Sequence, residues 1–239
     1  MTQWTINYNN VFTDVIESDE YAQICDRLIR EREEMYPFIG DSRDYYVLYE
    51  AAEAIAEVPG LICEIGLRQG GGTKTIIDAI HKSGKERTFI SIDPYGSIPF
   101  EGMDDELAPK TDYSNAMQKD TLEKMYRFMS ILPKINFLFF PLEDTEFCKR
   151  YADGVPTYVN NTKEVVNEYA LVHFDGPHST SATMKETRFF IDKTPIGAIF
   201  VFDDVKHFYD HDKIKDFLYE NGWEQIQATN IKASYVRVK

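Results

Sequence analysis

Three carboxylates stand at the ends of two apolar runs. YALVHFD closes on Asp175, and AIFVFDD closes on Asp203 and Asp204. If the two runs are neighbouring parallel strands, about 4.8 Å apart, their carboxyl ends bring these anions into one small volume. A divalent cation offsets the repulsion, and an all-oxygen set with room for water suits Mg²⁺, Mn²⁺ or Ca²⁺ better than zinc. The competing reading is that such aspartates cap the following helices; finding all three at strand ends favours metal. His178, three residues after Asp175 in DGPHST, belongs to a loop over the same crevice. An imidazole with its ordinary pKa near 6.5 is a usable general base there, although a solvated loop histidine has the same spacing. His207, His211 and Lys185 are the other candidate bases.

A second constellation lies upstream. In CEIGLRQGGGT an apolar strand runs into Gly66, then Gly70, Gly71 and Gly72, then a helix beginning near Thr73. Glycines admit a ligand close to the backbone, and the helix N-terminus presents free N–H groups. The next strand, TFISID, ends on Asp93, 27 residues after Gly66, where a carboxylate can accept from both hydroxyls of a ribose. This order favours an adenosine-containing ligand over a plain tight turn with an aspartate cap. A dinucleotide turn carries G-x-G-x-x-G, which is missing. Glu64 would repel a pyrophosphate and suits the amino group and sulfonium of S-adenosylmethionine. Equally, it reads as a buried carboxylate satisfied by neighbouring N–H groups.

The chain that must position these groups has 239 residues, enough for one large domain with a substantial core. Hydrophobic residues make up 43% and charged residues 28%, as in folded globular proteins. The net charge of −14 repels phosphate, so nucleic acid and anionic membranes are not expected partners. Cys25, Cys63 and Cys148 lack C-x-x-C spacing and read as packing or surface thiols. With no basic leader and no apolar run of bilayer length, a cytoplasmic location is expected.

Five short apolar runs, LICEIG, TFISID, INFLFF, YALVHFD and AIFVFDD, read as parallel strands buried on both faces. Helices are expected at Asp19 to Met35, Asp44 to Ala56, Thr73 to His81, Thr121 to Leu132 and Ser181 to Phe190, with another beginning at Lys213. QIQATN and ASYVRVK read as a closing antiparallel hairpin. The expected architecture is an α/β, Rossmann-like, doubly wound, mostly parallel seven-stranded sheet. Residues 1–43 form a helical extension and 44–239 one domain. Two polar stretches, Tyr95 to Lys119 and Gly154 to Asn167, read as surface insertions. The first follows TFISID and reads as a substrate-facing lid.

From about Tyr45 onward the chain resembles the class I S-adenosylmethionine-dependent methyltransferases, and within them the metal-dependent small-molecule O-methyltransferases of the macrocin and catechol types. CEIGLRQGGGT, SIDPYG, VHFDGPHS and IFVFDDV carry the resemblance. It implies that Glu64, Gly66 and Gly70 to Gly72 line the methionine of the cofactor, that Asp93 holds the ribose, and that Glu143 or Asp144 meets the adenine. It also implies that Asp175, Asp203 and Asp204 hold Mg²⁺ or another divalent cation. One departure concerns the base: where macrocin-type enzymes have a second aspartate, Pro177 stands here, and His178 takes the spacing of a catechol-type lysine. Proteins similar to cephalosporin hydroxylases share the same motifs. The implied reaction is in-line methyl transfer to a hydroxyl of a small molecule such as a sugar, phenol or natural product. A homo-oligomer is compatible with this reading. The rivals are a nucleotide-dependent oxidoreductase and a binding protein without turnover.

Overall fold

The computed structural model describes residues 27, 38–40, 42–96, 113–159 and 162–239. The helix expected at Asp19 to Met35, Cys25 and most of the expected lid therefore lie outside the described residues. Six helices and nine strands are described, in the order α1 (Tyr45–Ala54), β1 (Leu61–Ile65), α2 (Gly71–Ser83), β2 (Arg87–Ile92), α3 (Asn115–Met129), β3 (Ile135–Phe140), α4 (Asp144–Arg150), β4 (Val155–Val159), β5 (Thr162–Val166), β6 (Tyr169–Phe174), α5 (Thr180–Ile191), β7 (Ile199–Phe202), α6 (His211–Glu220), β8 (Trp223–Ala228) and β9 (Ala233–Arg237).

Seven strands form one sheet, ordered β3-β2-β1-β6-β7-β9-β8. Every pair among β3, β2, β1, β6 and β7 is parallel, whereas β9 runs antiparallel to both β7 and β8. β1, β6 and β7 are buried at every residue, which explains their unbroken apolar runs. Alternation splits those side chains between two cores. Ile62, Leu171 and Val201 pack with α1, α2 and α3 on one face. Cys63, Val172 and Phe200 pack with α4, α5 and α6 on the other. The half-buried guanidinium of Arg87 donates to the carbonyls of Ile55, Ala56 and Val58, satisfying the C-terminus of α1.

Three segments differ from the sequence expectation. The polar stretch at 154–167 contains the two-stranded hairpin β4–β5, paired from Val155–Val166 to Val159–Thr162. Its strands pair with each other rather than with the main sheet, and of its apolar side chains Val155 and Val166 reach the core. α3 starts at Asn115, inside the expected insertion, because Ser114 caps it by accepting from the Met117 N–H at 3.2 Å. The short helix α4 was not expected; its first turn is DTE, after the prolyl segment PLE. Among the described residues no helix is long and apolar enough to cross a membrane.

Candidate functional site

Chain order reverses at β1, which pairs with β2 on one side and β6 on the other. Ligand crevices of open parallel sheets open at the carboxyl ends beside such a reversal. A cavity of about 490 Å³ lies there, with Gly66, Asp93, Asp144, Asp175, His178 and Asp203 among its walls. That volume is within the usual range of roughly 300–1,000 Å³ for small-molecule sites.

The turn after β1 is built by close approach. Gly66 has φ 93°, and a Cβ there would fall on the Asp175 carbonyl, so only glycine lets the ends of β1 and β6 meet. Asp93 ties this turn to the next: its Oδ2 accepts from the Arg68 N–H at 2.8 Å and its Oδ1 from the Tyr95 N–H at 3.0 Å. Burial raises its carboxyl, and these N–H groups oppose the shift. The Tyr95 hydroxyl donates back to the Arg68 carbonyl. Four described non-glycine residues have left-handed backbone, and three of them, Arg68, Tyr95 and Asp204, line this cavity. Such residues cost about 1–3 kcal/mol each and persist where neighbours over-determine them, as Asp93 does here for Arg68 and Tyr95.

Glu64, by contrast, is not on the cavity wall. Strand alternation turns it under the first turn of α2, 1% exposed, where Thr73 Oγ1 donates to Oε2 and His173 Nδ1 lies 3.1 Å from Oε1. Side chains rather than backbone N–H groups thus satisfy this carboxylate. Gly70 to Gly72 are also behind the wall. Gly71 lies against the backbone of Gly40, and a Cβ on Gly72 would strike Glu64. These glycines pack the segment 38–40 and the Glu64 carboxylate against α2, and Ile39 bridges to Gly70.

Glu143 and Asp144 are both on the wall, at the start of α4. Burial raises the Asp144 carboxyl and, beside it, that of Glu186 well above the usual range.

At the opposite wall the ends of β6 and β7 meet. Asp175 and Asp203 converge with His173, one ligand-type atom from each lying within 4.8 Å of the others. Asp204 does not belong to this group. Its backbone N–H donates to Asp203 Oδ1 at 2.9 Å, and its carboxylate Oδ2 is 3.6 Å from His178 Nε2. His178 Nε2 is also 3.8 Å from Asp175 Oδ1, which places the imidazole between two carboxylates at the rim.

A cation already touches Asp203. Lys232 Nζ, fully buried, is 2.7 Å from Asp203 Oδ1 and donates to Ser42 Oγ at 3.0 Å, which itself donates to Asp203 at 3.0 Å. The β7–β9 register pairs Phe202 with Ala233, so the next position brings Lys232 opposite Asp203. Burial pushes the Asp203 carboxyl up, but the Lys232 ammonium overrides it and holds it below the usual range. The three aspartates are therefore not an unrelieved cluster of like charge.

Sequence reasoning missed His173, Lys232 and Ser42. His173 was legible, two residues before Asp175 on the same strand face; Lys232 and Ser42 reach the site only through tertiary pairing. Of the other candidate bases, Lys185 lines the cavity. His207 is exposed and off the wall. His211 is buried away from the cavity, its Nε2 2.8 Å from Tyr235 Oη, and burial lowers its pKa to about 4. Burial holds the Cys63 thiol well above its ordinary range and pushes Cys148 up to about 12, so neither is a ready nucleophile.

No protein-family model and no curated protein matches the sequence. Solved structures do match. The calicheamicin methyltransferase CalS11 superposes with a TM-score of 0.59 at 17% identity, over 92% of this chain and 93% of that one. The fold is that of the class I methyltransferases. The O-methyltransferase TomG from Streptomyces achromogenes, solved with S-adenosylmethionine, shares this methyltransferase fold at a TM-score of 0.51 and 10% identity, over 93% of this chain and 92% of that one. An O-methyltransferase from Bacillus cereus, solved with S-adenosylhomocysteine, superposes at 0.50 with 9% identity over 93% of each chain.

Proposed function

We propose that this protein is an S-adenosylmethionine-dependent methyltransferase that modifies a hydroxyl of a small molecule and uses a divalent cation. The reading rests on one arrangement: a methyltransferase fold whose switch-point cavity joins Gly66 and Asp93 on one wall to Asp175, His178 and Asp203 on the other.

Gly66 lines the cavity where the cofactor would bind, and its missing side chain lets the ends of β1 and β6 close there. Each Asp93 oxygen accepts one N–H and keeps acceptor capacity for a ribose hydroxyl. Asp144 and Glu143, on the wall at the start of α4, are the residues that would meet the adenine. Bound, the cofactor supplies an electrophilic methyl on sulfur. Asp175 and Asp203 are the residues that would hold a divalent cation, because a buried imidazole nitrogen and two carboxylates already converge there; such a cation lowers the pKa of an acceptor hydroxyl. His178 Nε2 then takes the hydroxyl proton, and the flanking carboxylates of Asp175 and Asp204 stabilise the imidazolium. No covalent enzyme intermediate is required, so the walls act by positioning.

The test is a thermal shift with S-adenosylmethionine, S-adenosylhomocysteine and NAD, each with and without a divalent cation. At a hundredfold excess over Kd a ligand adds about 2.7 kcal/mol, or roughly 5–10 °C for a chain of this size. Shifts with the two methionine-derived ligands alone support the proposal and lead to an acceptor screen. No shift with either overturns it, and a shift with NAD alone points to an oxidoreductase.

A further inference from the structure

His173 enters the mechanism above only as an imidazole beside two carboxylates, and it is fully buried near the carboxyl end of β6. Its Nδ1 is 3.1 Å from Glu64 Oε1, and the other Glu64 oxygen accepts from Thr73. With Glu64 as the acceptor Nδ1 carries the hydrogen, and the neutral ring then keeps its lone pair on Nε2. That Nε2 has no hydrogen-bond partner and no exposure, and it belongs to the group it forms with Asp175 and Asp203. A buried acceptor with nothing to fill its lone pair is destabilising. A Lys232 ammonium would be the obvious donor, but its contacts run to Asp203 Oδ1, Ser42 Oγ and the Tyr45 ring face, 5.2 Å away.

We infer that His173 Nε2, Asp175 and Asp203 form a mixed nitrogen–oxygen metal site, with Glu64 orienting the imidazole from behind, and that the site prefers Mn²⁺ or Co²⁺ to Mg²⁺. Three observations converge on this. The donor atoms come from adjacent strands in register, His173 and Asp175 from one face of β6 and Asp203 from the same face of β7. The imidazole has the carboxylate–histidine support that metal-binding histidines ordinarily carry on their second nitrogen. Asp203 is partnered by the Lys232 ammonium and Asp175 lies 3.8 Å from His178 Nε2, and both carboxylates keep further oxygen lone pairs for an ion. The metal preference follows from the donors: imidazole suits first-row transition metals, whereas Mg²⁺ takes oxygen sets. Asp204 stands outside this site, its carboxylate turned to His178.

The inference refines the cation of the proposed function, but its test needs no cofactor and no turnover. Metal-stripped protein is titrated calorimetrically with MnCl2, CoCl2 and MgCl2. Mn²⁺ and Co²⁺ are expected to bind at least tenfold more tightly than Mg²⁺. Pulsed EPR of the Mn²⁺-loaded protein, grown with ¹⁵N-histidine, is expected to show coupling to one imidazole nitrogen. The same coupling must persist in His178→Gln, which separates the buried imidazole from the one at the rim. Glu64→Gln is expected to weaken Mn²⁺ binding about 10- to 100-fold, and Asp204→Asn to change it less than threefold. Equal affinities for Mn²⁺ and Mg²⁺, bound Mn²⁺ without nitrogen coupling, loss of the coupling in His178→Gln, or no bound ion at all would each overturn the inference. Binding of S-adenosylhomocysteine, titrated in the same preparation, reads the methyltransferase proposal separately, so either can fail alone.

Discussion

Replacing Lys232 by methionine isolates the buried ion pair at the end of β7. Methionine keeps most of the aliphatic stem, so little cavity is opened and the change is mainly one of charge. Asp203 is 2% exposed and loses an ammonium at 2.7 Å, while it keeps the Ser42 hydroxyl and the Asp204 N–H as donors. Breaking a buried pair from one side costs about 3–5 kcal/mol. With two donors retained, the lower end applies, about 3 kcal/mol, which corresponds to roughly 6–12 °C in Tm for a chain of this size. Asp203→Asn strands the ammonium instead and should cost a similar amount. In the double variant neither charge remains, so its stability should return to within about 1 kcal/mol of the parent, giving a coupling energy well above 2 kcal/mol. Urea unfolding of the four proteins at pH 7 without added metal gives each value. A loss below about 1 kcal/mol in Lys232→Met, or additive losses in the double variant, would refute the claim that β7–β9 pairing places a lysine against Asp203 in the interior.

Other consequences are equally open to measurement. His211 is held near pKa 4 by burial, below its ordinary 6.5. The unfolded chain therefore binds the proton first, and stability falls as pH drops through 6.5 toward 4. Between pH 7 and pH 5 that loss is about 2 kcal/mol by urea unfolding, and His211→Gln should flatten this part of the profile. Gly66→Ala drives a Cβ into the Asp175 carbonyl at a φ of 93°; it should abolish binding of S-adenosylhomocysteine or prevent folding, and a variant with parental affinity would contradict the described turn. His178→Gln should remove the lower limb of the pH–rate profile and cut turnover about 10²- to 10⁴-fold while leaving the Kd of the cofactor unchanged. Arg87→Met leaves the carbonyls of Ile55, Ala56 and Val58 without their guanidinium and should cost about 2 kcal/mol in thermal or urea unfolding.

The sheet and the crevice can be read from the order of residues. Strands buried on both faces must be apolar throughout, so LICEI, YALVHF and IFVF announce themselves, and the polar residue that ends each run marks the edge where a ligand can bind. Asp93, Asp175 and Asp203 were legible for that reason, as was Gly66 between a strand and a helix. Period-two alternation also contained His173, two residues from Asp175. What those groups face is set by packing across the fold. Whether Glu64 looks into the cavity or beneath α2 depends on the packing of Gly72 and Thr73 around it. The partners of Asp203 depend on an antiparallel register that brings Lys232 from 29 residues away and on the approach of Ser42 from across the fold. Such contacts are set by strand order and by how segments stack, and one-dimensional spacing carries no record of either. The polar hairpin at 154–167 escaped for a related reason: it stays outside the main sheet and sends only Val155 and Val166 to the apolar core, so the hydrophobic pattern that betrays the others is missing.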